Sequence, residues 1–154
     1  SAPAISASVE QSLRRLRTDH IDVLLLHSDG KDVEILAHTD TLEALSRLKQ
    51  AGKIRAAGIS AETESGIRGA ARTLDVVMAP FSQKEPALAT ALAAAHDRGL
   101  GVLAIKGLFS GHLQARAAVE YVLRQEFIDA LIVGTINPSH LADAVAVAKR
   151  ARGD

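Results

Sequence analysis

Asp19-His20-Ile21-Asp22-Val23-Leu24-Leu25-Leu26-His27 and Gly52-Lys53-Ile54-Arg55-Ala56-Ala57-Gly58-Ile59-Ser60 frame the segment that decides the fold. Each holds an apolar, β-favouring run that ends at a polar side chain. Ile21 to Leu26 has the continuous pattern of a strand buried on both faces. Residues 28–39 read as a polar loop. Asp40 followed by Glu43 is a cap signal, Leu42, Leu45 and Leu48 recur at helical spacing, and Gly52 stops the helix before the second strand, Ile54 to Ser60. Strand, helix and strand together make one crossover unit with parallel strands.

The same alternation continues outward. Ser8-Val9-Glu10-Gln11 has capping-box spacing, and Val9, Leu13 and Leu16 share one face of a helix running to about Arg17. Downstream the pattern predicts a helix near 62–72, a strand at 74–79, an Ala-rich helix near 85–98 closed by Gly99, and a strand at 101–106. A helix near 115–125, a strand at 129–133 and a last helix opened by Asn137-Pro138 follow, proline suiting the first helical turn. The class is α/β with a parallel sheet, read as one domain over residues 1–154. On length alone a doubly wound five-stranded sheet suits such a chain, and periodicity leaves that choice open.

Composition removes several functions. Lys plus Arg equals Asp plus Glu at 18 each, so the overall charge favours neither nucleic acid nor an anionic membrane. Aromatic residues are only 3%, too few for base-stacking platforms. With no Cys there are no disulfides, thiolate metal sites or Cys nucleophile, and no metal site is expected. No apolar run approaches the ~20 residues of a membrane span, and the chain reads as cytoplasmic.

Four apolar runs stop at chemically useful groups: His27, Ser60, Lys106 and Gly134-Thr135. In parallel α/β folds the carboxyl edge of the sheet is where ligands bind. For any one position the plainer account, a loop beginning, remains open. His27 at the lip of a strand can donate a hydrogen bond or exchange a proton, although a lone His is more often a satisfied core residue. Lys106 suits either a buried amine for Schiff-base chemistry or a cation near a phosphate, against a solvated loop residue. Gly134-Thr135-Ile136-Asn137-Pro138 has room for close approach of a ligand and precedes a helix N-terminus, which favours phosphate; an ordinary N-cap is the alternative. Neither this loop nor Gly107 to Gly111 has P-loop or dinucleotide-fingerprint spacing.

Ser12-Leu13-Arg14-Arg15-Leu16, Asp19-x-Ile21-Asp22-Val23-Leu24-Leu25-Leu26-His27, Thr41-Leu42-Glu43-Ala44-Leu45 and Ala51-Gly52-Lys53-Ile54-Arg55-x-x-Gly58-Ile59-Ser60 resemble, in order, the aldo/keto reductases. So do Leu74-Asp75-Val76-Val77, Ile105-Lys106-Gly107-Leu108-Phe109-Ser110-Gly111-His112-Leu113, and Ile132-Val133-Gly134-Thr135 with Asn137-Pro138 and Leu141. The resemblance implies strands four to eight of a (β/α)8 TIM barrel, with strands one to three absent from this chain. It also implies carbonyl reduction by hydride from NADP(H) or NAD(H), on a small aldehyde or ketone. Of that family's catalytic Asp, Tyr, Lys and His, only the His has a counterpart, His27; Tyr121 does not match the catalytic Tyr.

For the cofactor, the resemblance implies contacts from Ser60, Ile105, Lys106, Gly107, Leu108, Gly111 and Leu113, and from Gly134, Thr135, His140 and Asp143. Several positions depart from the family pattern. Ala61 stands where an Asn is usual, Met78 where a Gln is, Ile105 where an aromatic platform is, and His140 and Asp143-Ala144 where an Arg and a Glu-Asn pair are. These departures leave NADPH against NADH open. Two further readings stand beside reduction: a barrel remnant acting as a binding or assembly module, and a Schiff-base lyase using Lys106. The chain alone is expected neither to reduce carbonyls at a useful rate nor to persist as a simple monomer; self-association or pairing with the missing strands is expected instead.

Overall fold

The computed structural model describes residues 2–108 and 114–153. The first amphipathic segment is helical from Ala2 to Leu16 (α1), with Val9 and Leu13 buried. Ser8 therefore lies inside the helix instead of capping it. Ile5 packs beside Val9, so the apolar face begins a turn earlier than the capping box suggested, and tertiary burial decides the start.

Strand β1 is Ile21–His27 and β2 is Ile54–Ser60. They pair in parallel from Ile21 opposite Ile54 to His27 opposite Ser60. β1 is not buried on both faces: Val23 is 40% exposed. The run is apolar enough for a central strand but stands first in the sheet order, covered on one face by α1 and its neighbours.

Between them, residues 28–39 contain a short helix, Asp32–Ala37 (α2), where the sequence suggested only loop. The next helix, Thr39–Gln50 (α3), is preceded by His38 with no side-chain cap, so Asp40 sits in the first turn and acts through the helix dipole alone. Helix Glu64–Thr73 (α4) follows β2, capped by Thr63, whose hydroxyl accepts the Gly66 N–H at 3.0 Å.

The remaining elements are β3 (Val76–Pro80), α5 (Ala89–His96), β4 (Gly101–Ile105), α6 (Ala115–Leu123), β5 (Ala130–Leu131) and α7 (Pro138–Arg152). The parallel sheet runs in chain order, β1-β2-β3-β4-β5. A doubly wound sheet, whose strand order reverses at a switch point, is excluded. β5 is shorter than the sequence suggested because the chain leaves the ladder after the Ile132 N–H bonds to the Ala104 carbonyl at 2.8 Å.

Two aspartates at strand starts hold this register. Asp75 donates its N–H to the Ala57 carbonyl, and its carboxylate accepts the Ala57 N–H, both at 2.8 Å. Asp129 repeats the arrangement on Val102, at 2.9 and 2.6 Å.

The chain divides into two units, Ser1–Val77 and Met78–Asp154. The first has a core of Val9, Leu13, Leu45, Leu48, Ile54 and Ala57. In the second, Val119, Leu123 and Val147 seal α6 against α7, with Leu108 and Leu131 beside them. Tyr121 stacks on Phe81 at 6.0 Å between centroids, and Phe127 meets Phe81 edge-on at 5.5 Å. The packing of this cluster accounts for the lone tyrosine.

Candidate active site and cofactor cleft

In the first unit, parallel pairing makes His27 and Ser60 direct neighbours at the carboxyl ends of β1 and β2. His27 is exposed, and Ser60 is half-buried. His27 has no side-chain partner among the described residues, which leaves both ring nitrogens available to a ligand.

The loops that follow these residues are tied by a carboxylate that sequence reasoning missed. Asp32 is completely buried. One of its oxygens accepts the Ser28 hydroxyl; the other accepts the Glu62 N–H at 3.0 Å, the Thr63 N–H at 2.7 Å and the Thr63 hydroxyl at 2.6 Å. Burial pushes the carboxyl up, but the bonds from Ser28, Thr63 and Glu62 outweigh it and hold Asp32 below the usual range. The charged form is therefore the resident one at neutral pH. Gly66 supplies the room, since a Cβ there would collide with the Asp32 side chain. An Asp four residues after a Ser in a polar loop is weak as a sequence signal, and its partners come from the far side of β2.

The second unit holds a cleft of ≈ 930 Å³ between the β4 and β5 ends and helices α6 and α7. Seven of the positions expected at a cofactor line it: Lys106, Gly107, Leu108, Gly134, Thr135, His140 and Asp143. Ser60 and Ile105 are not among its lining; Ile105 ends β4, and its carbonyl accepts the Phe81 N–H at 3.0 Å. Gly111 and Leu113 lie outside the described residues.

The loop geometry refines the expectations. Lys106 is exposed and held at φ 58°, a left-handed conformation that costs a non-glycine residue about 1–2 kcal/mol. The burial required by a lowered-pKa Schiff-base amine is absent. Gly107 is small because of packing: a Cβ there would lie 2.8 Å from Leu131 Cδ1 and 3.3 Å from Val122 Cγ2. Around Gly134, by contrast, a Cβ would meet nothing within 4 Å among the described residues, so this backbone is open to approach from them.

Asn137 is an ordinary N-cap, its side-chain oxygen accepting the Ser139 N–H at 3.0 Å and the Ser139 hydroxyl at 2.8 Å. Thr135 accepts the Asn137 N–H at 3.1 Å. Because the cap occupies the Ser139 N–H, positive charge in the cleft comes mainly from side chains. Arg116 and Arg150, which the sequence did not single out, join Lys106 in the lining.

Cations, a hydroxyl, open backbone and an apolar floor of Leu108, Val119 and Val147 make a donor set that fits a phosphate-bearing nucleotide. No group of His, Asp and Glu suited to a metal occurs among the described residues, nor any helix long and apolar enough to cross a membrane.

Comparison with known proteins places this geometry. Residues 1–117 match the sequence model of the aldo/keto reductase family. A crystal structure from Pseudomonas aeruginosa assigned to the aldo-keto reductases is 41% identical, with a TM-score of 0.91, over 99% of this chain and 61% of that one. The NADH-specific methylglyoxal reductase of Escherichia coli is 30% identical over 125 residues, 79% of this chain and 38% of the relative. The glyoxal reductase of Bacillus subtilis is 46% identical over 54 residues, 35% of this chain and 18% of the relative. The chain thus spans under two thirds of each relative's length, and its sheet is part of a barrel. With residues 1–117 matched by the family's sequence model and 41% identity to a solved aldo-keto reductase over 99% of its length, the chain belongs to the aldo/keto reductase family.

Proposed function

We propose that this chain supplies the His27 wall and the cofactor cleft of a reductase that reduces a small aldehyde or ketone with NAD(P)H. The observation that carries this reading is the gathering of Lys106, Gly107, Leu108, Gly134, Thr135, His140 and Asp143 around one cleft. When bound, the cofactor supplies the hydride.

The chain's own residues then have separable tasks. Lys106 neutralises a phosphate, and the open backbone at Gly134 and the hydroxyl of Thr135 admit and bond the same part of the ligand. Asp143 accepts hydrogen bonds from the sugar or base. His27 donates a hydrogen bond to the substrate carbonyl oxygen and so favours the charge that develops there. Ser60, its register neighbour, offers a hydroxyl to the amide of the nicotinamide. Asp32 ties the loop after His27 to the loop after Ser60, which keeps the two chain segments in fixed relation.

Calorimetric titration with NADPH and with NADH tests the reading. Saturable binding of either one, weakened by Lys106→Ala, is expected. Absence of binding by both would overturn it.

A further inference from the structure

Resting on the reduction reading above, we propose that Glu62 is a specificity-determining residue for the substrate at His27: its carboxylate accepts hydrogen bonds from a hydroxylated, uncharged carbonyl compound and disfavours one that carries a phosphate or a carboxylate. Glu62 lies two residues beyond Ser60 and Gly30 three beyond His27, so both belong to the loops that leave the carboxyl ends of β2 and β1. The Glu62 side chain crosses from its own loop to the other. Its Oε2 atom stands 3.9 Å from where a Cβ on Gly30 would lie. Gly30 has φ 87°, a left-handed backbone suited to glycine, and presents no side chain to fill that space.

A surface glutamate ordinarily samples many rotamers on a mobile loop and so discriminates little. Here the backbone beneath it is fixed. The Glu62 N–H donates to the buried Asp32 carboxylate at 3.0 Å, and the next N–H, from Thr63, donates to the same oxygen at 2.7 Å. The Glu62 carboxylate is exposed and has no side-chain partner among the described residues, whereas Glu64, two residues on, takes Arg68 at 2.6 Å. Its acceptor capacity is therefore left for a ligand.

Charge in these loops is mostly of one sign. Residues 28–38 and 61–63 carry Asp29, Asp32, Glu34 and Glu62, against Lys31 as the one lysine or arginine. Asp32 is satisfied by N–H and O–H groups instead of a cation, so no counter-ion cancels its charge. A carbonyl compound approaching His27 meets a negative potential that repels anions and leaves neutral molecules unaffected. At most about 10 Å of chain separates His27 from Gly30. A carbonyl compound of a few carbons, with a hydrogen bond at each end, fills such a span.

The test is reduction of glyceraldehyde, propanal and glyceraldehyde 3-phosphate, three aldehydes on one carbon skeleton, by a reductase containing this chain, unsubstituted and as Glu62→Gln and Glu62→Lys. For the unsubstituted protein kcat/KM should be highest with glyceraldehyde and lowest with the phosphate. Glu62→Gln should raise kcat/KM for the phosphate about threefold and Glu62→Lys about tenfold, the scale of one or two partly screened charges. Glyceraldehyde should lose about threefold in Glu62→Lys, which cannot accept its hydroxyls, and propanal should be unchanged in both variants. Discrimination against the phosphate should also shrink as salt is raised, a response that a packing role would not give.

Either substitution keeps the backbone N–H that Asp32 holds, so circular dichroism should report unaltered folding. Constant ratios among the three aldehydes across the three proteins, or a rise for propanal equal to that for the phosphate, overturns this proposal while the reduction reading stands. Failure of the unsubstituted protein to reduce any of the three overturns the reduction reading and this proposal with it.

Discussion

The side chain of Thr63 donates its hydroxyl to Asp32 at 2.6 Å while accepting the Gly66 N–H at 3.0 Å, so one oxygen both caps α4 and anchors a buried carboxylate. Replacing Asp32 removes the acceptor for four donors at once. Asp32→Ala should cost about 3 kcal/mol of unfolding free energy at pH 7, and Asp32→Asn less, since an amide oxygen retains part of the acceptor capacity. Urea unfolding measures both; a loss below about 1 kcal/mol in Asp32→Ala would show that the network contributes little.

The same carboxylate sets an acid limit. At Asp75, as at Asp32, burial pushes the carboxyl up but is outweighed, there by the Ala57 N–H and Lys49, so both groups sit below the usual carboxylate range. A depressed folded-state pKa contributes stability above the unfolded value of about 4, and that stability is lost as pH falls through the folded value. Stability should therefore decline below about pH 4, and the decline should be shallower in Asp32→Asn. An identical acid limb in the variant would count against the assignment.

Two glycines of one helix should respond oppositely to alanine. At Gly66 the added Cβ strikes Asp32, whereas at Gly69 it meets only the Leu36 tip, Cδ1, at 2.8 Å. Gly66→Ala should lose at least about 2 kcal/mol, as overpacking does. Gly69→Ala should be neutral or gain up to about 1 kcal/mol from helix propensity. Thermal melting of the pair decides the matter.

Lys106 combines a strained backbone with an exposed charge. Lys106→Gly should leave stability unchanged or raise it by up to about 1 kcal/mol, relief of φ strain being offset by the entropy of glycine. Cofactor affinity should fall in the same variant. Loss of both stability and affinity would instead mean that Lys106 has a packing role.

His27 is exposed and has no side-chain partner among the described residues, so His27→Ala should shift the urea midpoint by the equivalent of less than about 0.5 kcal/mol. On the proposed reading, carbonyl reduction by a protein containing this chain should fall ~100- to 10,000-fold in kcat.

Much of this was legible from residue order. Ile54 to Ser60 forms the strand its composition indicates, and Asn137-Pro138 opens α7 as a cap and first-turn proline should. Lys106 and Gly134-Thr135, which line the cleft, were picked out by where apolar runs end, whereas Gly107, Leu108, His140 and Asp143 came from the family resemblance. What was hidden depends on contacts across sequence distance. Asp32 reads as a loop acid until Glu62 and Thr63, some thirty residues on, are folded against it. β1 has a buried strand's composition, yet Val23 on one of its faces is exposed, which residue order alone does not show. Arg116 and Arg150 look like solvated helix charges, because nothing local shows that their helices form facing walls.

Asp75 and Asp129 repeat one device at the amino ends of β3 and β5, each closing a two-way bond with the preceding parallel strand. His27 and Ser60, like Lys106 and Thr135, stand at or beyond the other ends of their strands. On the proposed reading, the framework and the chemistry thus draw on separate sets of residues. Substitutions that retune the ligand at the carboxyl ends leave the alignment pegs untouched, and this division lets one scaffold accept new substrates without relearning how its strands line up.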